Sequence, residues 1–96
     1  MKINFSKEAG TLNVSVEGRI DTTTAPELDA FLSQNVDGAN ALVIDCKKLA
    51  YVSSAGLRVF LSAHKKMKGS MKLTNVGEVV MEVFELTGFA DILVIE

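Results

Sequence analysis

The chain has no tryptophan and only one cysteine, one histidine, one proline and one tyrosine in 96 residues. Each scarcity removes a class of function. With Cys46 alone, an internal disulfide is impossible and a thiolate metal cluster would need a second chain, so Cys46 reads as a small core residue. His64 is the sole imidazole, the carboxylates are scattered, and neither zinc-type pairing nor a calcium loop is present. No metal or cofactor is expected. A formal net charge of −2 leaves neither a basic surface nor, without tryptophan, much stacking area for nucleic acid. No apolar run approaches the roughly 20 residues that cross a bilayer, and Met1-Lys2-Ile3-Asn4-Phe5 lacks the apolar segment of a signal peptide. The chain reads as cytoplasmic, with no direct membrane insertion.

What is there suits one globular domain spanning residues 1–96, since 48% of the residues are hydrophobic and the charges are mixed. Ile3 and Phe5 alternate with polar neighbours, as do Leu12, Val14 and Val16 after Ala9-Gly10, which predicts an antiparallel hairpin. Thr24 and Glu27 fit a capping box and Pro26 a first helical turn, ahead of Leu28, Phe31, Leu32 and Val36 on one stripe. Ala41-Leu42-Val43-Ile44 is a continuous apolar run, predicting a strand covered on both faces. A loop from Lys47 to Ser53 then leads into a helix from Ser54 to about Lys68, followed by a strand at Met71–Thr74. A third helix carries Val79, Val80, Val83, Phe84 and Leu86, ends at Gly88 as a left-handed cap, and precedes a last strand over Ile92–Ile95. The fold class is therefore α/β: a mixed, mostly parallel sheet with an N-terminal antiparallel hairpin and about three helices.

In such sheets, sites gather beyond the carboxyl ends of the parallel strands, where Asp45 and the following loop deliver Ser53-Ser54-Ala55-Gly56. The pattern places a hydroxyl at a helix N-terminus, where Ser53 or Ser54 can cap unpaired N–H groups and where a phosphate would be tolerated. A serine hydrolase is excluded by distance. His64 lies ten positions along the same helix from Ser54, roughly 15 Å at about 1.5 Å per residue, and reads as a partly buried structural histidine. Nothing marks an independent enzyme. Ser54, Arg58, Ser62 and Lys65 share one polar helical face, where the lysines suit an ordinary solvated surface. Arg58, one turn after Ser54, is placed to pair with a phosphate there or with a partner's carboxylate.

These residues resemble the STAS domains, and within them the bacterial anti-sigma factor antagonists. The resemblance rests on Gly18-Arg19-Ile20-Asp21, Leu42-Val43-Ile44-Asp45, Ser53-Ser54-Ala55-Gly56-Leu57 and Leu86-Thr87-Gly88-Phe89, in that order along nearly the whole chain. It implies a partner switch. The unmodified antagonist binds an anti-sigma factor that is itself an ATPase-type serine kinase, phosphorylation ends the association, and a serine phosphatase restores it. Alignment on Gly56-Leu57 makes Ser54 the phosphoacceptor, with Ser53 as the alternative. It implies a partner-binding set of Asp21, Thr22, Ser53, Ser54, Ala55, Gly56 and Arg58. Ser53 stands where the family usually has aspartate, and Asp21 is then the acidic residue near the acceptor. The competing reading is a STAS subunit of a membrane transport assembly, such as the cytoplasmic partner of a lipid-transporting ATPase, without a phosphoswitch.

Overall fold

A computed structural model describes residues 1–96. Strands β1 (Lys2–Glu8) and β2 (Thr11–Ile20) form an antiparallel hairpin, closed by Ala9-Gly10 with both residues at positive φ. That is the turn geometry whose twist matches paired strands. Helix α1 (Ala25–Asn35) leads to β3 (Ala41–Asp45), which lies parallel to the first half of β2. Then come β4 (Leu49–Val52), α2 (Ser54–Lys66), β5 (Met71–Thr74), α3 (Glu78–Thr87), a 3-10 turn at Phe89–Asp91 and a two-residue β6 (Val94–Ile95). The sheet order is β1-β2-β3-β5-β6, parallel from β2 onward, with β4 alongside the far end of β2.

Three details of this architecture differ from the sequence expectation. The Lys47–Ser53 segment contains a strand: Gly18, Arg19 and Ile20 of β2 pair with Leu49, Tyr51 and Val52 of β4. β2 thus serves two parallel neighbours on one edge, β3 as far as Ser15 and β4 from Gly18, and the β4 pairing shifts register between Gly18 and Arg19. Gly18 takes φ +98 at that point and donates its N–H to Lys48 O at 3.0 Å. Next, β3 is not covered on both faces. Leu42 and Ile44 are buried, whereas Ala41, Val43 and Asp45 share a half-open face with Asn13, Ser15, Lys72 and Thr74. Finally, the last strand is reduced to Val94–Ile95, because Phe89–Asp91 turns as a 3-10 helix after Gly88, which does take the left-handed conformation expected of it.

The helices pack on one side of the sheet. The 23 buried hydrophobic residues form one cluster in which β2 contributes Leu12, Val14 and Val16, β5 contributes Met71 and Leu73, and the helices contribute Leu28, Phe60 and Phe84. Phe60 and Phe84 meet edge to face at 6.0 Å, a geometry that adds to simple area burial. On α3, Val80 and Phe84 point inward while Val79 and Leu86 are exposed, so only part of its apolar stripe reaches the core. Cys46 is buried, and burial first, then the Asp45 charge, raises its thiol pKa to about 12. A thiol-specific reagent at neutral pH is therefore expected to modify Cys46 only after denaturant is added; reaction of the native chain at the unfolded rate would contradict this burial.

Candidate functional site

β2 and β4 end side by side, and the site is built where they do. Ser53 N–H donates to Ile20 O at 2.8 Å, which ties the end of β4 to the end of β2. Ser53 is the extended residue preceding α2, and the first helical bond runs from Leu57 N–H to Ser53 O at 2.9 Å. The N–H groups of Ser54, Ala55 and Gly56 consequently have no intrahelical acceptor. Ser54 is exposed at the first position of the helix.

Neither serine caps the helix through its side chain, contrary to expectation. Ser53 Oγ is shielded from solvent and has no hydrogen-bond partner. The free N–H groups sit beside an exposed Ser54, where water can serve them without a side-chain cap. The two hydroxyls are therefore unequal: Ser54 presents its oxygen outward and Ser53 does not.

Gly56 explains why the helix begins where it does. An added Cβ would lie 2.5 Å from Val52 Cγ2 and 2.7 Å from Ile20 Cγ2. Only a glycine allows the first turn of α2 to sit this closely on β2 and β4. Gly56 is buried, and its place in the fold is to seat the first turn of α2 on the two strands.

On the other side of the site, the segment after β2 folds around Asp21. Its Oδ1 accepts from Thr23 Oγ1 at 2.7 Å, Thr23 N–H at 3.0 Å and Thr24 N–H at 3.2 Å. Thr24 Oγ1 accepts from Asp21 N–H at 2.8 Å and donates to Arg19 O at 2.9 Å. The anticipated Thr24–Glu27 capping box is absent because the Thr24 hydroxyl is committed to the strand end, and Asp21 instead holds the turn that leads into the helix. These donors, led by the Thr23 hydroxyl, hold the Asp21 carboxyl below its usual value of 3.8. A carboxylate with a depressed pKa adds stability above the unfolded value, and that stability is lost as pH falls through the folded value. Carboxyl titration followed by NMR is thus expected to place the Asp21 midpoint below 3.8. Thr23→Ala should move it upward; an unchanged midpoint would refute the assigned cause.

Asp45 is held low in the same manner, first by the Asn75 side chain at 3.1 Å and then by Lys47 N–H at 2.9 Å. Its contacts lie at the ends of β3 and β5, and its role is to fix that loop.

Thr22, Ala55 and Arg58 line one groove with Ala25, Pro26, Asp29, Val59 and Ser62, about 410 Å³ between the starts of α1 and α2. The sequence reading missed Pro26 and Asp29. Their signal was available as an exposed pair three apart at the start of α1, but nothing in the sequence said that this face meets Arg58 and Ser62. The guanidinium of Arg19 stacks over the Tyr51 ring at 4.5 Å, across a β2–β4 pairing that the sequence pattern does not reveal. His64 is half-buried with its Nδ1 shielded and unpartnered, on the same helix as Ser54 but well down its length.

Comparison with known proteins matches residues 2–96 to the STAS domain. BtrV of Bordetella bronchiseptica, provisionally named an anti-sigma factor antagonist, is 38% identical over 96 aligned positions, covering 96% of this chain and 83% of that relative. The anti-sigma-B factor antagonist of Bacillus subtilis is 32% identical, covering 97% and 88%. A crystal structure of an anti-sigma factor antagonist from Mycobacterium paratuberculosis superposes with a TM-score of 0.88 at 28% identity, over 98% of this chain and 83% of that one.

Proposed function

This chain belongs to the STAS domain family, and from that premise we propose that it is an anti-sigma factor antagonist controlled by phosphorylation of Ser54. In the unmodified state its α1–α2 groove and the exposed start of α2 dock on an anti-sigma factor, which releases the sigma factor. That partner is an ATPase-type serine kinase, and it transfers the γ-phosphoryl group of ATP to Ser54 Oγ with ADP as the leaving group. A serine phosphatase hydrolyses the phosphoserine and restores docking. The protein acts in the cytoplasm and is itself a substrate and a ligand, not an enzyme.

The observation that carries this reading is the inequality of the two serines. Ser54 is exposed at a helix start with three unpaired N–H groups, while the Ser53 oxygen is shielded. A kinase can reach the first and not the second. A phosphate on Ser54 brings about −1.5 to −2 charges, which free N–H groups and the helix dipole tolerate in the unbound protein. The same charge has to be desolvated when the groove closes on a partner, and that penalises the complex.

The test is a quantitative capture from the source cells with wild type and Ser54→Asp as parallel baits, together with in vitro phosphorylation of Ser53→Ala and Ser54→Ala by the captured kinase. Capture of an ATPase-type kinase by wild type alone, with label lost only in Ser54→Ala, is the expected result. Recovery of the same transporter subunits by both baits would replace the proposal with a transport-assembly role.

A further inference from the structure

β1 is an edge strand with nothing on its outer side. It pairs only with β2, and six of its seven residues are exposed. The two-residue turn at Ala9-Gly10 makes Glu8 and Thr11 the first hydrogen-bonded pair of the hairpin. By alternation, Lys2, Asn4, Ser6 and Glu8 bond inward to β2, while Ile3, Phe5 and Lys7 direct their N–H and C=O groups outward. Long unpaired edges of this kind are templates for another strand.

The sequence of the edge selects which strand. We propose that β1 pairs antiparallel with β1 of a second copy of this chain, about a two-fold axis at Phe5. In that register Phe5 faces its symmetry mate, Ile3 faces Lys7, Asn4 faces Ser6 and Lys2 faces Glu8. Two features agree. The residues with outward backbone groups, Ile3, Phe5 and Lys7, meet one another, so the bonding pattern closes without a bulge. Each Lys2 meets the other copy's Glu8, so the strand is its own charge complement, and no like charges face each other. A neutral or basic foreign strand would leave Lys2 without the carboxylate that Glu8 of a second copy supplies.

The pairing also covers an exposed aromatic. Phe5 is 54% exposed although its ring contacts Phe31 edge to face at 4.9 Å. The axis at Phe5 brings two such pairs together on the helical side and joins the sheets of the two copies into one. A seven-residue ribbon buries less than the roughly 1,200 Å² of a stable interface, so the dimer is weak and reversible.

Sedimentation equilibrium up to about 1 mM tests this, with circular dichroism to verify that each variant is folded. Wild type is expected to show a monomer–dimer equilibrium. Lys2→Glu and Glu8→Lys should each weaken it by about tenfold, since both cross-strand pairs become repulsive. An equimolar mixture of the two variants should recover wild-type association, because each copy then supplies the charge that the other lacks. A wild type that stays monomeric would overturn the proposal. So would a dimer indifferent to either charge reversal, or a mixture that fails to recover.

Discussion

Ser54→Asp is expected to lower affinity for the anti-sigma partner by about 30-fold or more while raising the melting temperature of the free domain. The two effects have opposite signs because the same charge meets two environments. In the free protein it sits at the start of α2 beside the N–H groups of Ala55 and Gly56, where a carboxylate contributes about 0.3–1 kcal/mol. In the complex proposed above it would be buried against a surface that otherwise meets a hydroxyl. An uncompensated interfacial charge costs about 2–5 kcal/mol, and each 1.4 kcal/mol is a factor of about ten. Ser54→Ala adds no charge and should bind nearly as well as wild type. Calorimetric titration reads the affinity, and thermal unfolding reads the stability. Equal binding by the aspartate variant, with its stability raised as expected, would show that the interface lies elsewhere.

Gly56→Val is expected to be among the most damaging single changes in the chain. The first added carbon alone would approach Val52 and Ile20 at 2.5 and 2.7 Å, and both of those side chains are fully buried and β-branched. Overpacking of this kind costs about 1–3 kcal/mol, and two further methyl carbons put valine at the upper end. For a domain of this size each kcal/mol moves the midpoint by about 4–8 °C, so a fall of about 12 °C or more is expected. Gly56→Ala should fall less, because alanine regains about 1 kcal/mol of helix propensity. Adding Val52→Ala to Gly56→Ala should destabilise less than the sum of the single changes, since it removes the nearer clash. Strict additivity would indicate that the helix start is held by something other than this contact.

How much of this was legible in the sequence follows from where local pattern governs. The hairpin was readable because Leu12, Val14 and Val16 alternate in a strand with one buried face. The start of α2 was readable because Leu57 and Phe60 recur at helical spacing directly after the paired serines. β4 was not, since Leu49-Ala50-Tyr51-Val52 is short, follows Lys47-Lys48, and becomes a strand only through its partner β2. The one-sided exposure of β3 was hidden for a related reason. Ala41 and Val43 are apolar enough to suggest cover on that side, yet their neighbours across the sheet are Thr11, Asn13 and Lys72. The capping box at α1 does not form although Thr24 and Glu27 satisfy its four-residue pattern, because Asp21 and Thr24 are engaged in a preceding turn that the pattern does not describe. Ser54 was correctly placed at the helix start, but its difference from Ser53 is a matter of which side chain faces inward, and adjacent identical residues carry no such signal.

The sharing of β2 between β3 and β4 sets an order of events during synthesis. Both downstream neighbours come from one stretch, Ala41–Val52, which follows the end of the hairpin they join at Ile20. A nascent chain ending before Leu49 can complete the hairpin and dock β3, yet it leaves Gly18, Arg19 and Ile20 unpaired along that edge. The ribosome must deliver four more residues before that edge closes, and the very next ones are the two serines. The site therefore has no existence as an intermediate on a half-made chain. It is assembled only once the strand that carries it has been captured, so Ser54 is presented on a domain already committed to its fold.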